Sequence, residues 1–70
     1  MKISARNNFS GKITEVKIGP ISAEVKVNIA PGIDVVSVIS ASSAQSLGLA
    51  VGKPAYAVIK ASSVMIGVDH

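Results

Sequence analysis

The nine residues Ile21-Ser22-Ala23-Glu24-Val25-Lys26-Val27-Asn28-Ile29 alternate apolar and polar side chains at every step. A β-strand turns successive side chains to opposite faces, so this period of two places Ile21, Ala23, Val25, Val27 and Ile29 on one face and the polar groups on the other. A helix would scatter the same residues around its circumference. The pattern therefore demands a sheet with one buried face.

The flanking segments extend that sheet. Residues 12–18 are rich in β-formers but alternate less cleanly, and Gly19-Pro20 separates them from the first pattern as a tight hairpin turn does. Ala30-Pro31-Gly32 marks a second turn, followed by expected strands over residues 33–39, over residues 55–60 (entered through Gly52-Lys53-Pro54), and over residues 64–68. One segment departs from this grammar. Residues 40–48 lack β-branched side chains, begin with a capping serine, Ser40, and end in Gly48, which predicts about two turns of helix with Ala44 and Leu47 facing the sheet. Five strands with a helix between the third and fourth is the order of an OB-fold, so an all-β, five-stranded Greek-key barrel is expected over residues 1–70 as one domain.

Composition bears on assembly and surroundings. The 70 residues contain no cysteine, no signal-peptide core and no apolar run near the ~20 residues of a membrane span, so a soluble, cytoplasmic chain without a membrane partner is expected. A domain of ~60 residues buries only about 60% of the surface its unfolded chain exposes. Here 49% of residues are hydrophobic and 16% charged, more apolar side chain than one small core hides. Subunits are expected to pack against one another. The net charge of +3 is spread along the chain without a basic run, which argues against a nucleic-acid tail and leaves a mild field attractive to small anions.

Catalysis finds little support. His70 is the only histidine and the last residue, there is no cysteine, and a serine nucleophile needs a base positioned within the fold. Asp69-His70 as a terminal metal site is the weaker reading against a plain polar end, and no metal coordination by side chains and no catalytic residue is expected. Anion binding is better provided for. Ser4-Ala5-Arg6-Asn7 sets the chain's one arginine, a fixed planar fork of N–H donors, beside a hydroxyl. Ser40 and Ser43 stand at the expected helix start. Lys60-Ala61-Ser62-Ser63 adds an ammonium, hydroxyls and backbone N–H groups in a bend. Each has a plainer reading as a solvated cation, a cap or a turn former. Together they form a set of donors without a nearby carboxylate in sequence. Such a set suits a fully deprotonated tetrahedral dianion, sulfate, molybdate or tungstate, better than a protonated phosphate, whose O–H needs an acceptor.

These residues also carry a family likeness. Ile3-Ser4-Ala5-Arg6-Asn7, Gly11-Lys12-Ile13, Ala23-Glu24-Val25, Val38-Ile39-Ser40 with Ser43, Leu47-Gly48-Leu49, Gly52-Lys53 and Val58-Ile59-Lys60-Ala61, in this order and spacing, resemble a molbindin, the small molybdate-binding Mop or TOBE-type domain. The resemblance covers nearly the whole chain. It implies an OB-fold whose subunits exchange strands in dimers, three dimers to a hexamer, and intracellular storage or homeostasis of molybdate or tungstate, with no other cofactor. It assigns ligand binding to Ser4, Arg6, Ser40, Ser43, Lys60 and Ala61, with Ala5 and Ser62 beside them. In related domains the first group comes from one subunit and the others from its partner. The chain is taken as a freestanding form, without the helix-turn-helix or transporter ATPase to which some relatives are fused. Pro20 and Pro31 depart from many relatives at their turns. The competing readings are a nucleic-acid-binding OB module, disfavoured because such grooves stack bases on aromatic rings and the chain has only Phe9 and Tyr56, and a purely structural assembly module.

Overall fold

The alternating segment becomes the second strand of a four-stranded antiparallel sheet in the computed structural model, which describes residues 3–69. The strands are β1 (Asn7–Ile18), β2 (Ser22–Ala30), β3 (Ile33–Ser40) and β4 (Pro54–Ile59), ordered β3-β2-β1-β4, with helix α1 (Ala41–Ser46) between β3 and β4. Ala23, Val25 and Val27 are buried as the period requires, and Val25 and Val27 pack with Ile13 as the centre of the core. Full burial of one such side chain is worth about 1.5–3 kcal/mol. Ile21 falls in the turn and stays exposed.

The imperfect alternation of β1 has a structural cause. Its register with β2 runs Ile13↔Val27 and then Glu15↔Lys26, so Thr14 is an extra residue, a β-bulge. The bulge moves the inward set from odd to even positions, from Ile13 to Val16. β1 also begins at Asn7, five residues before the expected start at 12, because residues 7–12 pair with β4 from Asn7↔Ile59 to Lys12↔Pro54. Gly11 sits where β1 presses on β2, and a Cβ there would run into the Asn28 carbonyl.

The turns follow their chemistry. Gly32 has φ 74° after Pro31, as the third residue of a type II turn requires. Asn28 braces that hairpin, donating from Nδ2 to the carbonyls of Ala30 and Ile33 and to Asp34 at 3.0 Å. Helix α1 is capped at both ends. Ser40 Oγ accepts from Ser43 N–H at 3.1 Å, and Gly48 N–H and Leu49 N–H donate to the carbonyls of Gln45 and Ala44, a Schellman closure with Gly48 at φ 64°.

Three expectations require correction. Leu47 does not face the sheet with Ala44; it ends the helix as C-cap and is 68% exposed, while Ala41 and Ala44 hold the buried face. The fifth strand is absent among the described residues: residues 64–68 follow a short 3-10 turn (Ala61–Ser63) and pair with no strand of their own chain. The barrel is consequently open. The edge strands β3 and β4 both line one apolar groove of about 640 Å³ floored by Ile13, Val25 and Val27, so the sheet curls without closing. The radius of gyration, 13.0 Å, exceeds the roughly 11 Å of a compact domain of this length.

Candidate functional site

The register of β1 with β4 builds the site. Asn7 opens β1 opposite Ile59, the last residue of β4, so Arg6 and Lys60 leave the ladder side by side at one end of the sheet. Ser4, Ala5 and Arg6 line one wall of a pocket of about 420 Å³ there, and Lys60, Ala61 and Ser62 line the other. Two segments more than fifty positions apart in sequence thus share one cavity. The second wall is the 3-10 turn itself, whose first amides, those of Ala61 and Ser62, have no acceptor within the turn.

The electrostatics are one-sided. Among the described residues the ion pairs are Glu15–Lys17 at 3.0 Å and Glu15–Lys26 at 3.8 Å. The hydrogen bond from Lys17, with the added charge of Lys26, holds the Glu15 carboxyl below the usual carboxylate range. Lys53 donates to the Gly48 carbonyl. Arg6 and Lys60 are in neither ion pair, and no carboxylate lines their pocket. Two fixed cations, two serine hydroxyls and turn amides, without an acceptor acid, can neutralise and hydrogen-bond a dianion.

Ser40 and Ser43 stand apart from this pocket; neither lines it or the groove. They form a tight pair of their own, with Ser40 Oγ donating to Ser43 Oγ at 2.7 Å while it caps the helix. Ser43 is exposed, so its hydroxyl stays open to solvent. Within one chain the Lys60 segment lies beside Arg6, and the helix serines are the separated group. Ser63, not among the expected ligand residues, lines the apolar groove rather than the pocket. Asp69 is exposed at the end of the described chain, and His70 lies outside the described residues. Among the described residues no cluster of His, Cys, Asp or Glu could hold a metal ion, and no helix is long and apolar enough to cross a membrane.

Residues 3–66 match the family model of the TOBE domain. The chain belongs to the TOBE domain family. Its relatives include a probable molybdenum-pterin-binding protein of Haemophilus influenzae, 46% identical over 69 residues that cover 99% of this chain and 100% of that one. Among solved structures, MopII from Clostridium pasteurianum in an apo form superposes with a TM-score of 0.90 at 42% identity, covering 96% of this chain and 100% of that chain. A molybdate-binding protein from Sporomusa ovata gives 0.89 at 28% identity, covering 97% and 100%. The molbindin resemblance and the all-β sheet with one short helix are thereby established for this TOBE domain.

Proposed function

We propose that this TOBE domain is a non-enzymatic binder of molybdate, with tungstate as a second ligand, acting in cytoplasmic molybdenum storage or homeostasis. The observation that carries the reading is the pocket in which Arg6 and Lys60 meet with Ser4 and Ser62 and without a carboxylate. Ala5 and Ala61 give it small walls. The names of the Haemophilus and Sporomusa relatives point to the same ligand chemistry. A tetrahedral oxyanion is much smaller than about 420 Å³, so the pocket needs a further wall. That wall comes from a second copy, whose Ser40 and Ser43 supply the remaining hydroxyls.

Assembly belongs to the same reading. The open groove has an unpaired strand edge on either side, and residues 64–68 pair with no strand among the described residues; Met65 and Ile66 are 91% and 86% exposed. Seating that segment in the groove of another copy gives strand-exchanged dimers, and three dimers give the hexamer. A nucleic-acid role is disfavoured by geometry. Phe9 pairs with Ala57 and Tyr56 with Ser10, so the two rings project from opposite faces of the β1–β4 ladder and make no stacking platform.

Equilibrium dialysis with molybdate tests the site. Arg6→Ala and Lys60→Ala are each expected to weaken uptake by ~10-fold or more, the loss of a charge-assisted hydrogen bond, with the circular dichroism spectrum unchanged. Affinity retained in both variants refutes the site. A labelled oligonucleotide bound in a salt-sensitive way, with no molybdate taken up, would favour the nucleic-acid module instead.

A further inference from the structure

The turn after β4 belongs to two features at once. It is closed by Ser63 N–H to the Lys60 carbonyl at 2.9 Å and Val64 N–H to the Ala61 carbonyl at 3.3 Å. Through Lys60, Ala61 and Ser62 it lines the cationic pocket; through Lys60 and Ser63 it lines the apolar groove. Directly beyond it run Val64, Met65 and Ile66, apolar, exposed and joined to no strand of their own chain. The turn therefore sets both the position of the anion donors and the direction in which the apolar segment departs.

We infer that the oxyanion governs exchange of the C-terminal segment between copies of this chain: an occupied pocket holds residues 64–68 seated in a second copy's groove, and an empty pocket releases them. This rests on the reading above, that Arg6 and Lys60 bind a dianion and that the segment pairs with another copy. Charge supplies the physical reason. With the pocket empty, Arg6 and Lys60 are like charges lining one cavity without a carboxylate between them, and their solvent-screened repulsion weakens the hold of the turn on residues 4–6. A dianion reverses the sign and ties the turn to the strand that follows Arg6. The occupant of the groove is a second copy because the groove is apolar with two unpaired strand edges and the segment is apolar and exposed, while the chain's own residues 64–68 do not line it. An anion that binds the seated state more tightly depletes the unseated state, through which exchange must pass, and seating raises anion affinity by the same factor.

Subunit mixing tests the coupling. Unlabelled and isotope-labelled full-length chains are combined and followed by native mass spectrometry at matched ionic strength, in sodium molybdate or sodium chloride, after dialysis has measured molybdate binding on the same samples. Mixed oligomers are expected to appear ~10-fold more slowly in molybdate, within the usual range of coupling between sites. Insertion of Gly-Gly between Ser63 and Val64 separates the turn from the segment. That chain is expected to bind molybdate with affinity reduced by no more than the same ~10-fold, and to mix at one rate in both salts. Molybdate bound with unchanged mixing of the unmodified chain overturns the inference and leaves the binding reading intact. Equal slowing in the insertion chain also overturns it, since the ion then acts by general stabilisation. No binding at all removes both readings, and single chains throughout refute the exchange.

Discussion

Arg6 acquires its partner from Ile59 rather than from its own neighbours. Because Asn7 pairs with Ile59, the residue before β1 comes beside the residue after β4, and two cations far apart in sequence line one pocket. The sequence shows the donor types, since arginine, lysine and serine announce what they can bond, but the pairing that joins positions 6 and 60 is a long-range fact. Gly11 makes the same point for stability. Only a glycine lets β1 approach the Asn28 carbonyl so closely, and Gly11→Ala forces the strands apart. We expect Gly11→Ala to destabilise the fold by about 1–3 kcal/mol, read from the urea midpoint, as overpacking of a tight contact does. A midpoint equal to that of the unmodified protein would mean that the β1–β2 contact is loose.

Elements were legible in proportion to how local their causes are. The helix between β3 and β4 was readable because its start and stop signals, Ser40 and Gly48, act within one turn of themselves. β2 was readable because both its neighbours are antiparallel and one face is buried, so the period of two survives intact. The start of β1 is not legible locally because Asn7-Asn8-Phe9-Ser10-Gly11 is a polar run that becomes strand only by pairing with β4, and the bulge at Thr14 blurs the alternation that follows. Leu47 lies off the buried face because the helix ends at Ser46 and Leu47 is its C-cap. Ser40 separates two roles by experiment: Ser40→Ala is expected to lower stability by ~1 kcal/mol in thermal or urea unfolding, as loss of an N-cap does. If molybdate affinity falls as well, the hydroxyl also faces the ion in the assembly; an unchanged midpoint would deny the capping bond its role.

For the molecule as a whole, the open groove and the apolar C-terminal segment leave apolar surface exposed in one chain. The hydrophobic excess in the composition already pointed to association, and the exposed row of Val64, Met65, Ile66 and Val68 locates part of that excess. Native mass spectrometry is expected to find hexamers, with even-numbered species as intermediates of dilution. If the segment seats in a second copy's groove as proposed, Ile66→Asp is expected to shift the distribution to single chains at equal concentration, because a charge has no partner in an apolar slot. Hexamers undiminished by Ile66→Asp would show that the segment does not enter the interface. Helix α1 and the outer face of β2, where Glu24 and Lys26 stand, are expected to be insensitive to the same change.

By itself, the sequence determined the antiparallel β class, the turns at Gly19-Pro20 and Pro31-Gly32, the capped helix and the donor chemistry of Ser4, Arg6, Lys60 and Ser62, because each follows from local sterics, periodicity or the bonding capacity of one side chain. The tertiary structure alone decided that β1 reaches back to Asn7, that Thr14 bulges, that Arg6 and Lys60 share a pocket from which Ser40 and Ser43 are absent, and that residues 64–68 leave the sheet open. Those outcomes depend on which strand edge meets which. A segment's own pattern records how it will run and which face it will bury, but not the partner, near or in another chain, that completes its hydrogen bonds.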